Sequence, residues 1–243
     1  MYKYETHCHT APVSACARAT VEETVRFYKA FGYDGIFLTN HFLDGNICHA
    51  VRQQPYDEQL DFYFSAVEEA EACGKKIGLK VFPGVELSYG GTDFLIYGLD
   101  KAWYHAHPEI MQMGKRQELE MMMAEGALVS HAHPYRDDSY IDHIRLYPRS
   151  VEAVEIVNSC QPPLVNEMGA HYAEKYGLLV TAGSDNHRAE KIFDQLTEKG
   201  LEPEIAGMCA ERPVDSVEDF VRMVRSKELK PFIQKISGEW RLL

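Results

Sequence analysis

Short extended runs that end on a histidine or a carboxylate recur along this chain, and that repetition limits its fold more than any other feature. The first is Met1-Tyr-Lys-Tyr-Glu-Thr-His7-Cys8-His9. Gly35-Ile-Phe-Leu-Thr-Asn40-His41, Lys80-Val-Phe-Pro-Gly-Val-Glu86, Ala127-Leu-Val-Ser-His131-Ala-His133 and Leu178-Leu-Val-Thr-Ala-Gly-Ser-Asp185-Asn-His187 follow. Side chains alternate between the faces of a β-strand, so His7 and His9 point one way and Cys8 the other. The same spacing predicts a shared face for His131 and His133, in a strand that Pro134 stops. One His-x-His pair alone is an ordinary pair of histidines. Several strands that all end on His, Glu or Asp converge on a metal cluster at one end of a sheet or barrel.

Between these runs the apolar residues repeat at helical spacing. Residues 2–9 read as a strand, and 10–19 as a loop containing Pro12. Thr20 and Glu23 form a capping box ahead of Val21, Val25, Tyr28 and Phe31, and Gly32 stops that helix. A second helix carries Leu60, Phe64, Val67 and Ala70 and ends at Gly74 or Gly78. Lys80 to Leu87 reads as one strand, Gly90-Gly91 as a turn, and Asp93 to Gly98 as the next strand. One helix is expected over 108–125, with Met111, Met113, Met121, Met122 and Met123 as core filler. Strands over 127–133, 151–158 and 178–183, a helix over 163–176, a short run at Ile205–Cys209 and a helix over about 215–225 complete the chain. This alternation predicts parallel strands covered by helices, an α/β barrel-like fold. With 243 residues and no Pro/Gly/Ser-rich linker, one domain over 1–243 is the simplest organisation.

Composition excludes some functions. The net charge of −12 repels a nucleic-acid backbone, so no nucleic-acid partner is expected. Six scattered cysteines without a Cys-x-x-Cys pair, and an N-terminus without a basic or apolar leader, predict a reducing, cytoplasmic setting. No apolar run approaches the ~20 residues of a membrane span, so no membrane partner is expected. The segment from Leu229 to Leu243 is apolar enough to pack back on the barrel or on a second copy in a homo-oligomer.

The strand-end residues are His7, His9, His41, Glu86, Asp93, His131, His133, Asp185 and His187. Nitrogen and carboxylate donors without thiolate suit catalytic Zn, Mn or Fe. There are more donors than one ion uses. Paired cations ~3.5–4 Å apart bind a phosphate oxygen, lower the pKa of a water between them and stabilise the leaving oxygen, which points to phosphoester hydrolysis. Arg136, after His133-Pro-Tyr, and Arg188, after His187, stand where bidentate contacts to phosphate are expected, with Arg18 a third candidate.

In this order, His7-x-His9, Thr39-Asn40-His41, Gly84-Val85-Glu86, Ala132-His133-Pro134-Tyr135-Arg136 and Gly183-Ser184-Asp185-Asn186-His187 resemble the motifs of the polymerase and histidinol phosphatase (PHP) superfamily, over essentially the whole chain. The resemblance implies a distorted (βα)7-type barrel, TIM-barrel-like, and two or three divalent ions. It implies one ion on His7, His9, Glu86 and Asp185, a second shared by Glu86 and held by His133, and a third on His41 and His187. The loop 10–20 lacks the His or Asp that three-metal members supply, leaving only Ser14 or Cys16. Asp93 stands where members often carry a histidine, as a replacement ligand or a turn aspartate. The expected activity is hydrolysis of a small phosphorylated substrate, histidinol-phosphatase-like, by a metal-bridged hydroxide. Without a third ion, His187 or His41 would protonate the leaving group. The alternatives are an amidohydrolase-type metal hydrolase and a metal-binding module without turnover. His131 is expected to touch substrate or to hydrogen-bond inside the barrel; His49, His105, His107, His143 and His171 are expected in solvent.

Overall fold

The computed structural model describes residues 1–243. In chain order the elements are β1 (Tyr2–Cys8), α1 (Val21–Ala30), β2 (Gly35–Leu38), α2 (Tyr56–Ile77), β3 (Lys80–Pro83), β4 (Val85–Tyr89), β5 (Thr92–Tyr97), α3 (Lys101–Ala106) and α4 (Lys115–Ala124). Then follow β6 (Leu128–Ala132), β7 (Ala153–Asn158), α5 (Pro163–Tyr176), β8 (Leu179–Gly183), α6 (Ile192–Glu198), β9 (Glu204–Ala210), α7 (Val217–Arg225), β10 (Lys230–Lys235) and β11 (Trp240–Leu242). The capping box is present: the Thr20 hydroxyl accepts from Glu23 N and the Glu23 carboxylate accepts from Thr20 N.

The strands form two sheets, not one closed barrel of parallel strands. One runs β11-β10-β9-β1-β2-β3 and the other β4-β5-β6-β7-β8. Pairing is parallel for β1/β2, β2/β3, β6/β7 and β7/β8, and antiparallel elsewhere. Two local features account for the departure. The run Lys80–Leu87 breaks at Gly84 into β3 and β4, which belong to different sheets. Gly90 and Gly91, both at positive φ, then fold β4 back onto β5 as a hairpin.

Backbone contacts join the two sheets at both seams. Beyond β2 the chain pairs with β4: Glu86 N donates to Asn40 O and Phe42 N to Glu86 O. Beyond β8 it pairs with β1: Asp185 N donates to His7 O and His9 N to Asn186 O. Both seams lie at one end of the strands, and they carry His7, His9, His41, Glu86 and Asp185.

The opposite end is filled by α7, whose Phe220, Val221, Met223 and Val224 are buried against Tyr4, Phe37, Leu95 and Leu128. The Phe37 ring lies 4.2 Å from that of Phe220 and 4.8 Å from that of Phe82. Arg225 clamps this end, donating to Ala127 O and to both Glu152 oxygens. Apolar packing at this end thus leaves the other open for polar side chains.

Other expectations change in detail. The helix over 108–125 is a 3-10 turn (Pro108–Gln112) followed by α4, because Met113 is extended and Gly114 restarts the helix. Met122 is buried, Met121 and Met123 pack at the core edge, and Met111 is exposed. The tail packs as β10 and β11 on the chain's own sheet, burying Phe232 and Ile233 and leaving Ile236, Trp240, Leu242 and Leu243 exposed.

At Gly207, in β9, an added Cβ would lie 2.2 Å from Tyr4 O of the neighbouring strand β1. Gly207→Ala is therefore expected to destabilise the fold by about 3 kcal/mol or more. Gly114→Ala, where the nearest atom is 3.9 Å away, should cost less than about 1 kcal/mol. Urea unfolding of the pair checks this; equal midpoints would refute it.

Candidate metal centre

Each donor is aimed by the strand end that carries it. His7 and His9 project together from the end of β1, as period-2 spacing requires, and their rings lie 5.2 Å apart. His41 follows β2, Glu86 sits in β4, and His133 and Asp185 follow β6 and β8. His133 and Asp185 take left-handed backbone, φ 27° and 54°, at a cost of order 1 kcal/mol each that the surrounding packing must offset. That turn sends His133 into the cluster. His131 stays in register in β6 and points the opposite way, stacked on Phe94 at 5.1 Å and edge-on to Tyr172. The expected shared face of His131 and His133 is thus overturned: period-2 geometry stops at Ala132, where the strand stops. Neither His131 nitrogen has a partner, and burial pulls its pKa down to about 3, so the ring is a neutral aromatic wedge.

His7 Nε2 lies 3.1 Å from Glu86 Oε1 and 3.4 Å from Asp185 Oδ1. His9 Nε2 lies 3.3 Å from Asp185 Oδ1 and 3.5 Å from Glu86 Oε2. His41 Nδ1 is 2.6 Å from Glu86 Oε2, and His133 Nε2 is 3.5 Å from Glu86 Oε1. These four nitrogens and both Glu86 oxygens are buried, yet none makes a hydrogen bond. Buried polar atoms are nearly always satisfied, so donors that converge without bonding one another fit divalent cations. They form three groups: His7 with Glu86 and His133, His7 with His9 and Asp185, and His9 with His41 and His187.

The far sides of the His7 and His9 rings are each fixed by a partner. His7 Nδ1 meets Glu155 Oε1 at 2.9 Å, and Glu155 Oε2 accepts from His133 N and Asn158 Nδ2. His9 Nδ1 meets Ser14 Oγ at 3.0 Å, and Ser14 donates to Asn40 Oδ1. Glu5 Oε1 accepts from the backbone N–H groups of Thr6, His7 and Ser184. Such partners set tautomer and ring orientation. The sequence reading missed Glu155, Glu5 and the Ser14–Asn40 pair. The available signal was a carboxylate between apolar residues of one strand, Glu155 within Ala153-Val-Glu-Ile-Val157.

Electrostatics follow the same geometry. Burial alone would raise Glu86 and Asp185, but the surrounding histidines hold both well below the usual carboxylate range. Burial and the neighbouring His187 and His41 hold His9 well below its ordinary value. Burial also opposes charge on His7 and His41, yet Glu155, Asp185 and Glu86 on His7, and Glu86 on His41, outweigh it and raise both. Burial pushes the Cys16 thiol up, but contacts with His187 and His41 bring it down to about 6.

A cleft of about 560 Å³ opens over the cluster, lined by Cys16, His41, Asp93, Arg136, Tyr140 and His187 among others. Asp93 is neither a turn residue nor a member of the three donor groups. It lies in β5, accepting from Ser88 Oγ at 2.6 Å and Arg136 Nη2 at 2.8 Å. Arg136 is thereby aimed across the cleft. Arg188 and Arg18 instead line a separate cavity with Phe27, Phe31 and Phe193, because the chain turns at Arg188 and carries its side chain away from the donors. Of the remaining histidines, His105 pairs with Asp57, and His107 Nδ1 lies 2.7 Å from Trp103 O.

The PHP-associated family model matches residues 163–192, a segment that includes α5, β8, Asp185 and His187. No curated protein matches the sequence. A two-domain protein from Bacteroides vulgatus, containing a predicted PHP-like metal-dependent phosphoesterase, superposes with TM-score 0.63 at 16% identity over 95% of this chain and 64% of its own. The chain thus shares the fold of that PHP-like protein. PsfC from Pseudomonas syringae shares the fold with TM-score 0.57 and 14% identity, over 90% of this chain and 87% of that one. A candidate metal-dependent phosphoesterase from Bifidobacterium adolescentis gives TM-score 0.50 and 15% identity over 76% and 88%. No helix of the chain is long and apolar enough to cross a membrane.

Two measurements follow from the site. Glu155→Gln removes the charge behind His7 and is expected to weaken divalent-ion binding roughly 10–100-fold with little change in circular dichroism; unchanged affinity would remove Glu155 from the site. Because His7 and His41 are held protonated well above their ordinary range, an ion that takes them as ligands displaces protons. Ion binding should acidify a weakly buffered solution and tighten as pH rises. A titration with Zn²⁺ or Mn²⁺ that releases no protons contradicts this.

Proposed function

We propose that this chain is a metal-dependent phosphoesterase acting on a small phosphorylated substrate. The observation that carries the proposal is the buried, unbonded donor set beneath a cleft that Arg136 faces. His7, His9, Glu86 and Asp185 would hold one ion, and His133 with Glu86 a second. Such ions, when bound, supply Lewis-acid activation of water and neutralise charge on a phosphoryl oxygen. Zn, Mn and Fe suit these donors.

The chain's own residues supply binding and orientation. Asp93 holds one η nitrogen of Arg136 and Asp138 Oδ2 lies 3.7 Å from its Nε, which leaves the other η nitrogen for phosphate oxygens. Tyr140 lies under that guanidinium, 5.7 Å away. The cleft's modest volume and polar lining favour a small phosphate monoester, such as a histidinol-phosphate-type substrate, over a polymer. His41 and His187 are the most exposed histidines of the cluster, at 12% and 19%. They therefore have two competing roles, proton donor to a leaving alkoxide or ligand of a further ion. An amidohydrolase with a modified lysine ligand fits less well: Lys115, the buried lysine, is held by Asp44 and Glu118.

Hydrolysis of p-nitrophenyl phosphate is expected to stop on chelation and return with Mn²⁺ or Zn²⁺, while amide substrates stay intact. Metal binding without turnover on a panel of phosphorylated metabolites would overturn the phosphoesterase and leave the amidohydrolase or the inert module. Arg136→Ala should lower kcat/KM roughly 10²-fold, about 2.7 kcal/mol of transition-state binding at 1.36 kcal/mol per tenfold. Steady-state kinetics on the metal-loaded variant checks this, and a kcat/KM within twofold of the parent would free Arg136 from the role.

A further inference from the structure

Charge around the cleft does not balance. Besides the histidines, the charged side chains that line it are Asp44, Arg52, Asp93, Arg136 and Asp185. Asp185 belongs to the metal donors. Arg136 is paired with Asp93 at 2.8 Å, and Asp44 with the buried Lys115 Nζ at 2.7 Å. The second oxygen of each acid is also taken: Ser88 Oγ donates to Asp93 Oδ1 at 2.6 Å, and Ser88 N to Asp44 Oδ1 at 3.3 Å. Neither carboxylate is free for another cation. Arg52 forms no ion pair, so it is the charge of this cleft that lacks a counter-charge.

Arg52 is nonetheless held in place. Its Nε donates to Ile47 O at 3.3 Å, and its Nη2 to Gly45 O at 3.2 Å and Asn46 Oδ1 at 3.5 Å. These acceptors are neutral, so they fix the guanidinium without cancelling its charge and leave Nη1 unbonded. Gly45 packs against the metal centre: an added Cβ would lie 3.4 Å from His41 Cβ and 2.9 Å from Ser88 Oγ. Ser88 in turn holds Asp93, and Asp93 holds Arg136. Two guanidinium groups therefore border the donor cluster from different loops, Arg52 on the one after His41 and Arg136 on the one after His133.

We propose that Arg52 is a specificity-determining residue that binds a second anionic group, carried by the leaving alcohol of the phosphate ester. The inference deepens the phosphoesterase reading and rests on it. Arg136 and the ions take the phosphoryl group, while a carboxylate or second phosphate on the departing alcohol accepts from Nη1 of Arg52, a charge-assisted bond. Among small phosphate monoesters, histidinol phosphate then ranks below such substrates, because its leaving alcohol carries an ammonium group that Arg52 repels.

Phosphonates, which are not hydrolysed, test this on the full chain loaded with Zn²⁺ or Mn²⁺. By calorimetry at one ionic strength, 3-phosphonopropionate should bind roughly tenfold tighter than propylphosphonate, which has the same head and an uncharged tail. Propane-1,3-bisphosphonate, compared in the same way, tells a second phosphate from a carboxylate. Arg52→Gln should bring both ligands with charged tails to the affinity of propylphosphonate, whereas Arg52→Lys, which keeps the charge, should retain part of the gap. A parent chain that binds all three alike overturns the proposal, and this comparison needs neither variant. A gap that survives Arg52→Gln, or that Arg52→Lys loses just as fully, also overturns it. Hydrolysis of p-nitrophenyl phosphate by the same parent samples tests the reaction separately. Turnover without the gap rejects the role of Arg52 and keeps the phosphoesterase; the gap without turnover keeps the anion subsite and rejects the reaction.

Discussion

The two backbone seams are what the rest of the structure depends on. Glu86 N reaches Asn40 O on one side and Asp185 N reaches His7 O on the other, so donors from two separate sheets face one another across a few ångströms. Side-chain geometry alone would not hold five imidazoles and two carboxylates together, because the folded state must remove all of them from water. The ladder bonds fix the backbones, and Glu155, Glu5 and Ser14 then fix the rings. Packing at the far end, where α7 covers Phe37 and Tyr97, keeps the sheets from sliding.

The donor cluster was legible in the sequence because its signal is local. A histidine pair at the end of a strand, followed by further strand ends on His, Glu or Asp, needs no knowledge of topology to be read. The supporting shell was not legible for the opposite reason. Glu155 meets His7 across 148 positions of chain and Asp93 meets Arg136 across 43, and neither separation leaves a periodic trace. His131 misled because periodicity assumes that a strand continues. One residue at positive φ, His133, ends that assumption.

Topology failed at particular glycines. Alternating strands and helices predict parallel pairing, yet Gly84 splits one apolar run between two sheets and Gly90-Gly91 turn it into a hairpin. The tail was ambiguous for a different reason: its exposed Trp240 and Leu242 look apolar in composition, while their pairing with β10 is a matter of backbone hydrogen bonds that composition does not record.

The seams have a thermodynamic consequence. His7, His9 and His41 extend from the first sheet, whereas Glu86, His133 and Asp185 belong to the second. An ion held jointly by both sets is a cross-link between sheets, and it is lost when they part. Its binding free energy therefore adds to the cohesion of the whole chain by mass action, as RT ln(1 + [ion]/Kd). The open end of the strands then becomes the firmer or the looser end according to how much free metal surrounds the protein.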